Sequence, residues 1–254
     1  MGRDSRLDRQ HQRFIEQASW TAGIRRILLA DLPSGADSRV LEVGAGTGAI
    51  TIELAGRARG GRVFALDIDF AACRYGARSA PAASWHCADA QALPLPSGSL
   101  DGVVFHYVLL WLRDPLSALR EARRVTRPGG EVLALAEPDH RARIDYPEPL
   151  ETIGDLQTEA LRKQGADTTI GRRLRGLFAA AGLGDVRAGV IGGEWAGPTG
   201  TGPPRSEWPT LREDLAASLA PAELDALEHL DREAWARGER VLFVPTFYAS
   251  GRVR

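Results

Sequence analysis

The sequence predicts an α/β fold: a mostly parallel sheet with helices on both faces and a helical cap over one edge. Three observations carry this reading. Short apolar runs alternate with stretches of helical period between residues 39 and 137, the pattern of strand–helix–strand units. The runs are continuously apolar, as strands buried on both faces must be. The first run, Val40-Leu41-Glu42-Val43, enters Gly44-Ala45-Gly46-Thr47-Gly48, a turn whose missing side chains let a ligand reach the backbone.

Each element has its own signal. Over 5–31, Phe14, Ile15, Ala18, Ala22, Ile24, Ile27 and Leu28 recur at three- and four-residue steps, with Gly23 as the expected break. Pro33-Ser34-Gly35 makes a turn before the strand 39–43, and the helix 49–57 stops at Gly60-Gly61. The strand 63–66 closes on Asp67, a helix covers 71–78, and the strand 84–87 leads to Asp89. After a Pro-rich loop at 93–98 come the strand 100–105, the helix 115–125, and a Pro128-Gly129-Gly130 turn launching the strand 131–137. Beyond it lie a helix at 151–164, a helix at 174–181 ended by Gly182, a strand at 185–191 and a Gly- and Pro-rich loop at 192–209. Helices at 210–219 and 222–236 follow, the second with Pro221 in its first turn, then one long strand at 240–251. The domain reading is an N-terminal helical cap at 1–36 and a ligand-binding domain at 37–254 with helical insertions at 138–170 and 207–237. The N-terminal helices and the 138–170 segment together would cover the ligand face.

Composition narrows the function. The 254 residues carry a net charge of −1, with 44% hydrophobic and 26% charged residues, ordinary for a globular protein. Lys163 is the only lysine, and the arginines are interspersed with acidic residues, so no basic stripe points to nucleic acid. Cys73 and Cys87 fit no metal-site spacing and are expected to be reduced and buried. No apolar run reaches the ~18–20 residues of a membrane span, and the charged N-terminus is unlike a signal peptide. The expectation is a cytoplasmic protein with neither a membrane nor a nucleic-acid partner; oligomeric state is not legible.

In a parallel sheet, ligands sit beyond the carboxyl ends of the strands, so Asp67, Asp89 and the His106 region should converge on the glycine turn. Gly44-x-Gly46-x-x-Ala49 with Asp67 downstream is compatible with a dinucleotide fingerprint, so these residues alone leave a nicotinamide cofactor open. The following blocks discriminate. Ala65-Leu66-Asp67-Ile68-Asp69, Cys87-Ala88-Asp89-Ala90, Leu93-Pro94-Leu95-Pro96-Ser97-Gly98-Ser99-Leu100-Asp101 and Glu121-Ala122-Arg123-Arg124-Val125-Thr126-Arg127-Pro128-Gly129-Gly130 follow the glycine turn in order. With it, they resemble the class I S-adenosylmethionine-dependent methyltransferases of the small-molecule type, over roughly residues 37–137.

The resemblance implies a Rossmann-like seven-stranded sheet, S-adenosylmethionine as donor and S-adenosylhomocysteine as product. It implies that Glu42 orients the methionine part, and that Gly44, Ala45, Gly46, Thr47 and Gly48 form the backbone cradle. Asp67 would accept from both ribose hydroxyls, with Ile68 against the adenine. Asp89 would accept from the adenine amino group, with Ala90 adjacent, and Phe105 and His106 would lie near the transferred methyl. A carboxylate suits a diol because it only accepts. Buried Glu42 needs partners in any case. Asp69 suits a helix cap, Asp101 a structural role, and Gln17 and Trp20 either closure over the cofactor or core packing. His106 and, less strongly, His140 are candidate bases for a hydroxyl acceptor, while His11 and His86 read as surface or packing residues. Tyr107 and Tyr146 are candidate acceptor contacts. The Phe105-His106-Tyr107-Val108 segment argues against nucleobase amino methylation, leaving a small metabolite with an O, N or C nucleophile. The alternatives are a protein of the same fold that binds the cofactor for other chemistry, and a NAD-dependent oxidoreductase.

Overall fold

The computed structural model describes residues 3–192 and 207–254, with backbone only for 3–5. Its main sheet contains β1 (Arg39–Val43), β2 (Arg62–Asp67), β3 (Ser84–Cys87), β4 (Leu100–Phe105), β5 (Thr126–Pro138), β7 (Gly184–Ile191) and β9 (Thr246–Arg252). The order is β3-β2-β1-β4-β5-β9-β7, with only β9 antiparallel to its neighbours. Alternation along the strands separates two cores. Leu41, Val43, Val103 and Phe105 face α5 (Pro115–Val125) and α7 (Ile170–Ala180). Val40, Val104, Leu133 and Leu135 face α2 (Ala22–Leu28) and α3 (Ala49–Arg57).

Register places the site. Val43 pairs with Leu66 on one side and Phe105 on the other. The next residue of each strand run, Gly44, Asp67 and His106 respectively, therefore stands at the same carboxyl edge.

Several boundaries differ from expectation, each for a local reason. The N-terminal helix breaks at Thr21, between α1 (Arg3–Trp20) and α2, and not at Gly23. The Thr21 hydroxyl bonds Arg25, His106 and the Ala18 carbonyl, and such side-chain bonding competes with helix continuation. The Pro128-Gly129-Gly130 turn lies inside β5 as a register shift, where Gly129 has φ +78°. The last strand is two: β8 (Val241–Phe243), then Val244-Pro245, then β9. Pro245 has no N–H for a ladder. β3 is a largely exposed edge strand, which leaves Cys87 exposed whereas Cys73 is buried. Most of the expected 192–209 loop lies outside the described residues. Its end is instead the start of α8 (Glu207–Leu215), where Pro209 in the first turn sacrifices no helical hydrogen bond.

A second small assembly stands at the carboxyl edge of β5. β6 (Ile144–Tyr146) pairs antiparallel with β8, and this ribbon packs with α6 (Glu151–Lys163), α8 and α9 (Pro221–Ala236). Leu150, Ile153, Trp208, Leu211, Leu215, Leu224 and Ala234 form its own core. Buried charges tie it together: Arg143–Asp145 at 2.5 Å, Arg240–Asp145 at 2.6 Å and Arg240–Asp231 at 2.5 Å, with Trp208 Nε1 donating to Asp231 at 2.8 Å. Such pairs hold only while each charge keeps its partner. Among the described residues no helix is long and apolar enough to cross a membrane.

Gly154 on α6 makes room for this network, since a Cβ there would lie 2.8 Å from Asp145 Oδ2 and 3.2 Å from Arg143 Cδ. Gly154→Ala is expected to lower unfolding free energy by about 1–3 kcal/mol. Gly176→Ala, at an exposed position on α7 with nothing near the new methyl, should raise it by about 0.5–1 kcal/mol. Denaturant titration of the two variants beside the parent checks both signs.

Candidate functional site

The turn from β1 into α3 is shaped by close approaches. Gly44, Gly46 and Gly48 have φ of +71°, +52° and +94°, the left-handed region that side chains disfavour. A Cβ on Gly44 would fall within Val108, and one on Gly46 would stand 3.0 Å from the Phe14 ring. The Gly44 and Ala45 N–H groups both donate to the Leu66 carbonyl, at 2.8 and 2.9 Å, and Gly46 N–H donates to Asp67 Oδ2 at 2.7 Å. Buried Thr47 pairs its hydroxyl with His11 Nδ1 at 3.0 Å and accepts from Ser79 Oγ at its carbonyl.

Asp67, half-buried at the end of β2, also accepts from Asp69 N–H at 2.9 Å. Asp69 caps α4 (Phe70–Ser79) through Ala71 N–H at 2.8 Å. Beside them Ile68 and Phe70 are 74% and 64% exposed, an apolar shelf of which only Ile68 was singled out from sequence. Asp89 is exposed and accepts from Gln91 N–H at 2.8 Å, while neighbouring Ala90 is buried in the core.

Glu42 points to the α3 face, where Thr51 Oγ1 donates to Oε2 at 2.5 Å. Burial, with the charges of Asp67 and Glu53 adding to it, pushes its carboxyl up to about 8. Phe105 is fully buried and its ring belongs to the core. His106 Nε2 lies 3.1 Å from Thr21 Oγ1, and its ring meets Tyr107 edge-on at 4.6 Å. Burial, then the nearby Arg25 charge, holds the imidazole down to about 3. A group held so low is neutral, and a weak proton acceptor, near pH 7.

The loop after β4 is set by Glu137, which sequence reading passed over as the last residue of a strand. Its fully buried carboxylate accepts from Val108, Leu109 and Leu110 N–H at 3.0, 2.9 and 3.2 Å. Tyr107, at φ +53°, donates its N–H to the Ala136 carbonyl at 2.8 Å. An acid able to accept several amides is visible in sequence; the loop that supplies them is not.

The N-terminal helix lies over the turn. Besides Phe14 and His11, Tyr75 donates to Asp8 at 2.9 Å, and Arg25 pairs with Glu53 at 2.7 Å. Gln17 is half-buried and Trp20 48% exposed on the last turns of α1. Thus Glu42, the glycine turn, Asp67, His106 and α1 meet at one edge, Asp89 stands beyond the neighbouring strand, and Trp111 is 46% exposed on the loop after β4. His140 belongs to the cap side, where its Nδ1 is buried without a hydrogen-bond partner and burial, with Arg143, holds the ring near 4. Among the described residues no group of His, Cys, Asp and Glu is arranged to hold a metal.

Residues 41–134 match the family model described as a methyltransferase domain. The chain is 36% identical over 142 residues to a malonyl-[acyl-carrier protein] O-methyltransferase of Halorhodospira halophila, covering 48% of this chain and 47% of that protein. It is 32% identical over 148 residues to a trans-aconitate 2-methyltransferase of Azoarcus sp., covering 56% of each. The chain thus spans about half the length of these relatives. Among solved structures, a putative methyltransferase from an antibiotic biosynthesis pathway of Anabaena variabilis superposes with TM-score 0.62 at 19% identity, covering 90% of this chain and 96% of that one. The [4+2]-cyclase SpnF superposes with TM-score 0.57 at 20% identity, covering 90% and 79%. These likenesses show the fold.

Glu42 makes stability depend on pH. Its ordinary value is 4.5 and its folded value about 8, so between these pH values the unfolded chain has lost a proton that the folded chain keeps. Stability contributed by this group is complete below about pH 4.5 and is lost as pH rises toward 8. Glu42→Gln is expected to flatten the decline in unfolding free energy across that window. Urea titrations at pH 5 and pH 8 on both proteins read the difference, and an equal decline in each would remove Glu42 as its source.

Proposed function

We propose that this chain, whose residues 41–134 match the methyltransferase-domain family model, is of the class I S-adenosylmethionine-dependent type and transfers a methyl group from S-adenosylmethionine to a small-molecule acceptor. The observation that carries the reading is the glycine turn with Asp67 bonded across it to Gly46 N–H. This puts an acceptor-only carboxylate beside the half-buried Gly44 and Gly46 of the turn at the carboxyl edge of the sheet.

The residues suit the donor. Two hydrogen bonds engage Asp67, and a carboxylate has about four acceptor positions, so capacity remains for a ribose diol. Ile68 and Phe70 offer an apolar face for a purine, and Asp89 an acceptor for its amino group. Glu42, protonated by burial, would ionise in the field of the methionine ammonium, because an adjacent cation lowers a carboxyl pKa. When bound, the cofactor supplies an electrophilic methyl on a sulfonium with a neutral thioether leaving group. The chain's part is to orient and to exclude water: α1 covers the turn through Phe14 and His11, and Val108 closes against Gly44. Neutral His106 lines this edge as a contact and orienting residue. Its low basicity favours an acceptor atom that needs no proton removed by this ring.

The relatives named above act, by their names, on malonyl-[acyl-carrier protein] and trans-aconitate, so relatedness speaks to the donor more than to the acceptor. The likeness to a [4+2]-cyclase keeps a second reading alive, that of a cofactor-binding protein with non-methylating chemistry.

S-adenosylhomocysteine is expected to bind at micromolar strength by calorimetry and NAD not at all; the reverse outcome would overturn the reading. Asp67→Ala removes charge-assisted hydrogen bonds worth about 1.5–3 kcal/mol each and should weaken that binding at least tenfold. Label transferred from methyl-labelled S-adenosylmethionine to any small acceptor separates transfer from mere binding.

A further inference from the structure

The ribbon β6–β8 has two unlike faces. In an antiparallel pair, residues directly opposite share a face. Asp145 stands opposite Leu242, and Asp145 turns inward to the buried ion network of the cap. Ile144 stands opposite Phe243, and Tyr146 opposite Val241. This other face carries four large side chains in a row, with Ile144 and Tyr146 52% and 53% exposed and Val241 and Phe243 half-buried. Scattered exposed apolar residues are ordinary, but a contiguous cross-strand set marks an interaction surface.

Its position argues for the occupant. The ribbon is attached where β5 ends and β9 begins: Pro138 pairs with Thr246, and Asp139 N–H donates to the Pro245 carbonyl at 2.8 Å. That is the edge at which His106 and Tyr107 emerge from β4. Tyr107 N–H donates to the Ala136 carbonyl, two residues before the Pro138 that pairs with Thr246, and Phe243 lies three residues from Thr246, at most ~10 Å of extended chain. The apolar face is therefore tethered at the same edge of the sheet as the residues expected beside the transferred methyl. Its only ionisable side chain is the Tyr146 phenol.

We propose that Ile144, Tyr146, Val241 and Phe243 form the wall that binds the apolar body of the methyl acceptor, so that the acceptor is an amphiphilic molecule with an alkyl, prenyl or aryl portion rather than a small polyanion. The proposal rests on the methyltransferase reading for its orientation toward the methyl, and its test is built to fail separately.

The probes are phenol and 4-hexylphenol, titrated by calorimetry into the full chain with and without saturating S-adenosylhomocysteine. The parent protein is expected to bind 4-hexylphenol at least tenfold more tightly than phenol. Ile144→Ser/Tyr146→Ser should lose most of that preference while its affinity for S-adenosylhomocysteine stays within twofold. Both residues are half-exposed, and an unchanged melting profile shows that the variant folds; Phe243→Ser alone is the second variant should it not. Equal affinity for the two phenols, or a preference that survives the substitutions, overturns the proposal. So does sedimentation showing a dimer of the parent that the variant loses, since the face would then belong to a second copy. Absence of S-adenosylhomocysteine binding in a parent that keeps its preference for 4-hexylphenol would instead defeat the methyltransferase reading and leave the apolar wall standing.

Discussion

The carboxylate of Glu137 organises this edge of the molecule. It is buried at the end of the central strand β5 and takes up three consecutive backbone N–H groups from the loop after β4. Those amides would otherwise be buried without acceptors, at a cost of about 1–3 kcal/mol each. Burial pushes the acid up to about 7 while the three N–H bonds pull the other way, so the loop holds the charge and the charge holds the loop. Val108 is thereby pressed against Gly44, and this approach leaves no room for a Cβ on the first glycine of the turn. The left-handed Tyr107 and the position of His106 follow from the same anchor.

From that anchor the site divides into a local half and an assembled half. The local half is the glycine turn, the Asp67 region and the Asp69 cap, where partners lie close in sequence or one strand away. Asp69 caps α4 two residues on. Gly46 meets Asp67 because β1 and β2 pair in parallel register. The assembled half is made by distant pairs: Thr21 with His106, His11 with Thr47, Arg240 with Asp145.

This division explains what was legible in the sequence. The parallel sheet and its helices were legible because hydrophobic period and turn chemistry are local, and the recurring motif blocks gave the central strands their places. Glu137 was not, because nothing in Ala136-Glu137-Pro138 reveals that a loop thirty residues earlier needs three acceptors. His11 looked like a surface histidine since Thr47 becomes its neighbour only when α1 folds across the turn. The split of the last strand had a visible cause in Pro245, but the partner that makes β8 a strand at all is β6, almost a hundred residues before it.

The cap shows the same principle in its energetics. A ribbon of three-residue strands is too short to be stable alone, and here its inward face carries Asp145 where a core would normally have an apolar residue. Arg143 and Arg240 compensate that charge from both sides, and Asp231 on α9 pairs with Arg240 in turn. Removing any one member would leave a buried charge unpaired, so the ribbon, α6, α8 and α9 are expected to stay together or come apart as a unit. This unit is attached to the sheet where β5 ends and β9 begins, through Asp139 N–H donating to the Pro245 carbonyl. Side chains on its outer face can then vary without disturbing either the ion network beneath or the glycine turn. The outer face of the ribbon is in this way mechanically separate from the glycine turn, though the two are tied to one edge of the sheet.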